Sequence, residues 1–280
     1  MPLKINKPLV SVDWLYNHLE DEKLIILDCT IPKVTAESIV NEDKTQIKGA
    51  VFFDIKNVFS DKNALFPNTV LSPKEFEEKA QGLGIHKDSK VVCYDDLGIY
   101  SSPRVWWMFY LMGFKNIAVL NGGLPAWKAK NYPIEKPKTH QPKKGNFKVD
   151  YLPEKIKFTD DILQSLVNKN ILIADARSKG RFLGTEPEPR KEVKSGHIPN
   201  SVSFPFSETQ ENGFMKTKED LVSLFNKLSS TEKEFIFSCG TGITASILAL
   251  SAEIAGIKNY AIYDGSWTEW ALTDGLPIEK

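Results

Sequence analysis

Short, almost continuously apolar runs recur along the chain at 24–28 (LIILD), 89–95 (SKVVCYD) and 117–122 (IAVLNG), and again at 171–175 (ILIAD), 234–239 (EFIFSC) and 260–265 (YAIYDG). β-Branched and aromatic residues dominate them. The lack of polar alternation predicts strands buried on both faces, as in a parallel sheet. Stretches of helical patterning lie between, so each half reads as β-α units feeding one sheet. The helix starts are legible. Ser72-Pro73-Lys74-Glu75 offers an N-cap, a proline at the first helical position and a glutamate three residues on, a capping box. Thr159 before Asp160 and Asp161, and Thr217 before Lys218, Glu219 and Asp220, read as caps with acidic side chains at the positive helix end. Gly113 and Gly256 predict helix ends in matching places. The fold class is therefore α/β, with two tandem domains, each an open, mostly parallel sheet with helices on both faces.

These strands belong to an internal repeat that spans nearly the whole chain. Aligning GFKN at 113–116 with GIKN at 256–259 sets an offset of 143, which also superposes Gly122 on Gly265 and Trp127 on Trp270 without a gap. The same offset puts Asp96 opposite Cys239, so only the second copy carries a thiol there. Between the copies, residues 135–157 (EKPKTHQPKKGNFKVDYLPEKIK) are rich in proline and lysine and lack a sustained period. They read as an exposed linker with one short strand. Residues 1–140 then form a first, non-catalytic domain, 141–157 the linker, with the boundary near Gly145, and 158–280 a second, catalytic domain.

Composition narrows the function. Lysine plus arginine number 36 and aspartate plus glutamate 36, a formal net charge of zero. No global field favours nucleic acid or an anionic membrane, and neither is expected as a partner. The amino terminus, MPLKINKPLVSVDW, has no apolar core of signal-peptide length, and no segment approaches the roughly 20 apolar residues of a spanning helix. A cytoplasmic protein is expected. Cys29, Cys93 and Cys239 lie far apart without a Cys-x-x-Cys pair, which argues against a disulfide framework or a zinc site. His18, His86 and His140 have no metal-ligand spacing, and no metal is expected. Cys29 and Cys93 read as packing residues.

Cys239 stands in a different context. Its apolar run leads into Gly240-Thr241-Gly242-Ile243-Thr244, and the helical run ASILALSAEIAG begins at 245. A strand end, a glycine-bearing loop and a helix N-terminus form one unit. Backbone amides of Gly240, Gly242, Ile243 and Thr244 can turn inward there as an anion-binding nest, which favours thiolate and would hold the second sulfur of a persulfide. Cysteine phosphatases use loops of this kind with an arginine six positions after the cysteine. That position here is Ala245, which argues against phosphate-ester chemistry.

Taken together, GHIPNSVSFPF, SCGTGITAS and AIYDGSWTEW in the second copy, with SPRVWW and LNGGLPAW in the first, resemble the rhodanese superfamily, specifically its tandem-domain thiosulfate and 3-mercaptopyruvate sulfurtransferases. The resemblance covers practically the whole chain. It implies two rhodanese-like domains in which Cys239 takes up sulfur as a persulfide and passes it to a thiol or cyanide, a thioredoxin-like reductant being a further candidate acceptor, with no organic cofactor. It also implies a first copy that has lost its cysteine, commonly to aspartate, in keeping with Asp96. Thiosulfate-preferring members carry basic residues after the cysteine and mercaptopyruvate-type members a neutral run. Cys239-Gly240-Thr241-Gly242 is neutral, which favours 3-mercaptopyruvate as donor. Arg181 in GRFLG and Arg190 in EPEPR match the two family arginines that hold the substrate, and their planar forks suit a carboxylate beside a ketone.

Other residues are weighed against the same pattern. Arg177, close to Asp175, reads as a structural partner. Thr241 stands where mercaptopyruvate-type loops have serine, and its hydroxyl offers the same proton donation or hydrogen bonding. Some relatives place a histidine in an HIPGA-like run of the first copy, proposed to act with that serine; this chain has QIKGA, with Gln46, and no relay is assigned. His197 in GHIP reads as a structural residue bonding the backbone before Pro199. Trp127, Trp267 and Trp270 read as core, Trp267 being also a candidate for the active-site mouth. Two further readings stay open: thiosulfate as the main donor, and a non-catalytic rhodanese-like module whose cleft binds a partner or a small anion.

Overall fold

The apolar runs become two five-stranded parallel sheets of the same strand order. The computed structural model describes residues 4–31, 44–139, 142–229 and 233–280; His140 and Gln141, at the start of the expected linker, lie outside them. In the first sheet the order is Leu9–Val10, Ile117–Leu120, Lys90–Tyr94, Leu24–Asp28 and Val51–Phe52, every neighbouring pair parallel. In the second it is Ile156–Lys157, Tyr260–Tyr263, Glu234–Ser238, Ile171–Asp175 and Val202–Ser203, again all parallel.

Both faces of each sheet are covered, which is why the strands are apolar throughout. In the first unit Val91, Val92, Cys93 and Tyr94 are all buried. Ile26, Val92, Tyr94, Leu120 and Trp127 join one core cluster, while Phe76, Phe109, Phe114 and Phe147 pack in another. In the second, Ile173, Ile236, Tyr263, Trp267 and Trp270 share one cluster, and Phe225 packs edge-on against Phe204 and Phe235. Among the described residues no helix is long and apolar enough to cross a membrane.

The expected helix punctuation meets the structure with one exception. Ser72 caps Pro73–Gly82, its hydroxyl accepting from Glu75 N at 3.3 Å while the Glu75 carboxylate accepts from Ser72 N. Thr217 caps Lys218–Leu228 by accepting from Asp220 N. Gly113 and Gly256 both follow their helices with positive φ. Thr159, however, is the first residue of Thr159–Ser165 and not its cap. Asp161 closes that helix end by accepting from Phe158 N at 2.8 Å, which frees the Thr159 hydroxyl for the Tyr263 hydroxyl.

The division of the chain departs from the contiguous halves expected. One compact unit comprises Met1–Lys62, Val70–Leu152 and Asn212–Phe214, the other Asn63–Thr69, Pro153–Glu211 and Met215–Lys280. The boundary therefore falls at Leu152 and Pro153, beyond Gly145. The stretch read as an exposed linker is anchored on the first unit. Phe147 is fully buried, and the amides of Gly145, Phe147, Asp150 and Leu152 donate to the carbonyls of Gln81, Ile85, Met112 and Leu111. Gly145 passes so close that an added Cβ would lie 2.0 Å from the Ile85 carbonyl oxygen. Phe147 and the backbone bonds around it do this, and they leave no period in the sequence.

Candidate active site

Cys239 sits directly after the strand Glu234–Ser238, at the carboxyl end of a central strand where open α/β sheets bind ligands. It is 1% exposed. Gly242 takes φ +80°, and its amide donates to Cys239 Sγ at 3.1 Å. The loop is clamped from the turn after Tyr260–Tyr263: Trp267 N donates to the Cys239 carbonyl at 2.9 Å, and Thr268 N and Oγ1 both donate to that of Gly240. Ser266, itself at φ +52°, accepts from Cys239 N and places its hydroxyl 4.0 Å from the sulfur. Ile243 is buried and Thr244 half-buried, just before the helix Ala245–Ala255. Thr241 is half-buried, and its hydroxyl accepts from Asn68 Nδ2 at 3.0 Å.

The arginines divide. Arg181 lies beside the loop, its Nη2 3.2 Å from where a Cβ on Gly240 would stand. Its guanidinium forks onto Glu188, Nε to Oε1 at 3.1 Å and Nη2 to Oε2 at 2.5 Å. Arg177 is buried against Asp175, the partner its sequence position suggests, and also reaches Glu188 Oε1 at 2.8 Å and the Gly196 carbonyl. Arg190 is half-buried and makes no ion pair among the described residues.

The equivalent place in the first unit is instructive. Strand register pairs Asp28 with Tyr94 and Asp175 with Ser238, so the residue opposite Cys239 is Asp95 and not Asp96. Residues 95 and 239 are 144 apart, whereas the following helices, from Ser102 and Ala245, start 143 apart. The first loop carries one extra residue, which an alignment anchored downstream could not register. Asp95 is fully buried, and its Oδ2 accepts from the amides of Tyr100, Ser101 and Ser102 at 2.8–3.0 Å and from the Ser102 hydroxyl. Its Oδ1 accepts from Leu97 N. In the first copy the inward-turned amides are thus satisfied by a carboxyl group of the same chain.

The remaining sequence candidates have structural surroundings. Gln46 is buried in the first unit and donates to the Ala50 carbonyl at 2.8 Å. His197 stacks on Phe182, its Nδ1 2.9 Å from the Phe182 carbonyl oxygen, while its backbone pairs with Glu279. Trp267 is fully buried under the Arg177 guanidinium and donates to the Lys194 carbonyl, so it is core and not mouth. Cys29 and Cys93 are fully buried, and burial pushes the Cys29 thiol well up. No cluster of side chains able to hold a metal occurs among the described residues. Sequence reasoning missed Glu188, Ser266 and Asn68. For Glu188 a signal was present, since two arginines set four residues apart call for an acidic partner as soon as either is buried.

With that geometry in view, the family is defined: the chain belongs to the rhodanese-like family, whose domain model matches residues 11–130 and 159–273. Within it, the chain is 36% identical over 276 residues to the 3-mercaptopyruvate sulfurtransferase of Homo sapiens, covering 95% of this chain and 92% of that one. It is also 36% identical to the thiosulfate sulfurtransferase of Bos taurus, covering 94% and 92%. Among solved structures it superposes on the 3-mercaptopyruvate sulfurtransferase SseA of Escherichia coli with a TM-score of 0.80 and 30% identity, over 94% of this chain and 99% of that chain.

Proposed function

We propose that this protein is a sulfurtransferase that moves sulfane sulfur from 3-mercaptopyruvate to a thiol or cyanide through a persulfide on Cys239. The observation that carries the reading is the Gly242 amide donating to Cys239 Sγ in a strand-to-helix loop flanked by Arg181. In the first half-reaction the Cys239 thiolate attacks the donor sulfur. The S–S bond forms, the C–S bond breaks, and its electron pair passes to the methylene carbon, giving the enolate of pyruvate, which then takes up a proton. In the second, an acceptor thiolate or cyanide attacks the outer sulfur and Cys239 leaves as thiolate. Atoms and charges balance without a cofactor. Loop amides hold the thiolate and the persulfide, and Thr241 acts as a hydrogen-bond donor.

Arg181 and Arg190 hold the donor's carboxylate and ketone, and the neutral run Gly240-Thr241-Gly242 suits a monocarboxylate better than a dianion. The similarity to the bovine thiosulfate enzyme supports thiosulfate as a second donor. A small thiol or a thioredoxin-like protein serves as acceptor, and the three free thiols suit the reducing cytoplasm. The test is intact mass after incubation of the reduced protein with 3-mercaptopyruvate. The parent should gain one sulfur, and Cys239→Ser should gain none while keeping its fold. Substantial turnover by Cys239→Ser would refute the proposal, and a larger kcat/KM for thiosulfate would reverse the donor order.

A further inference from the structure

Thr241 lies two residues past Cys239, and the group that meets its hydroxyl comes from 173 positions away in sequence. Asn68 belongs to the segment Asn63–Thr69, which is part of the second unit. Its backbone sits at φ +62°, in the left-handed region that asparagine tolerates far better than branched residues. From there its carboxamide Nδ2 donates to Thr241 Oγ1 at 3.0 Å.

A hydroxyl has one proton and two lone pairs. Accepting from Asn68 occupies a lone pair, leaves the O–H to act as donor, and polarises it. A carboxamide does not titrate near neutrality, so it cannot take the hydroxyl's proton. Resting on the sulfur-transfer reading above, we infer that Asn68 is a positioning residue for the donor half-reaction. It holds the Thr241 hydroxyl as a donor toward the oxygen on which charge develops as the C–S bond of 3-mercaptopyruvate breaks. The Thr241 proton stays on its oxygen throughout, and solvent water supplies the proton that turns the enolate into pyruvate. Discharge of the persulfide by cyanide develops no enolate, so Asn68 has no part in it.

Single-turnover kinetics of the full chain separate the two half-reactions. Asn68→Ala should slow sulfur uptake from 3-mercaptopyruvate roughly tenfold, the size of one hydrogen bond to a developing charge. KM and the rate of cyanide discharge should stay at the parent's values. Asn68→Asp should be slower still, because a carboxylate accepts the Thr241 proton and turns it away from the donor. Asn68→His should add an ionisation near neutrality to the pH profile of uptake. Asn68→Ala should have no further effect in a Thr241→Val background. Parental uptake in Asn68→Ala, equal slowing of both half-reactions, or multiplying effects in the double variant would each overturn the inference alone, provided the parent itself gains one sulfur. A parent that gains none overturns the sulfur-transfer reading and this inference with it.

Discussion

Glu188 shows how one side chain aims another. Its side chain is 4% exposed, and a carboxylate so buried is tolerable only with its charge matched and its oxygens bonded. Arg177 and Arg181 together do both. The fork from Arg181 fixes the plane of that guanidinium beside Gly240, and Nη1 is left outside the pair. Arg181→Ala should therefore raise KM for 3-mercaptopyruvate by about one to two orders of magnitude, the worth of hydrogen bonds to a charged group, with a smaller change in kcat. Glu188→Ala should also raise KM, and in addition lower stability by about 3 kcal/mol, since it leaves Arg177 short of a buried partner. Urea unfolding and steady-state kinetics on the two variants separate aim from contact. Unchanged KM in Arg181→Ala would remove it from donor binding. The Arg177–Asp175 pair was legible because its members are near neighbours in sequence. Glu188, in a proline-flanked segment without periodicity, was signalled only by the two arginines four residues apart that need it.

Elements were the most legible level. Apolar continuity marked the central strands because a sheet covered on both faces leaves no polar positions to interrupt them. Caps were legible where the side chain acts on its own turn, as Ser72 and Glu75 do. Ser72→Ala should cost about 1 kcal/mol by loss of that bond, read as a lower urea midpoint at unchanged m-value. Thr159 misled because two consecutive positions can close a helix end, and Tyr263 drew its hydroxyl elsewhere. Phe147 and Asn68 were invisible for a related reason. Each matters through partners remote in sequence, and nothing in the local pattern reports them.

Across the whole molecule the repeat fixes two sheets of identical order, yet the loops after the equivalent strands Lys90–Tyr94 and Glu234–Ser238 have parted company. One closes on sulfur and the other on the carboxylate of Asp95. The extra residue in the earlier loop makes that divergence hard to reverse. Restoring a thiol by a single substitution, Asp95→Cys in a Cys239→Ser background, should yield a protein that takes up no sulfur from 3-mercaptopyruvate by intact mass, because the amides of Tyr100, Ser101 and Ser102 converge on the Oδ2 position, one bond beyond the reach of a cysteine sulfur. Uptake there would show that spacing is immaterial. Otherwise the earlier loop is committed to its own side chain: with a built-in acceptor where a visiting anion would sit, a second reactive centre there would need a shorter loop as well as a different residue.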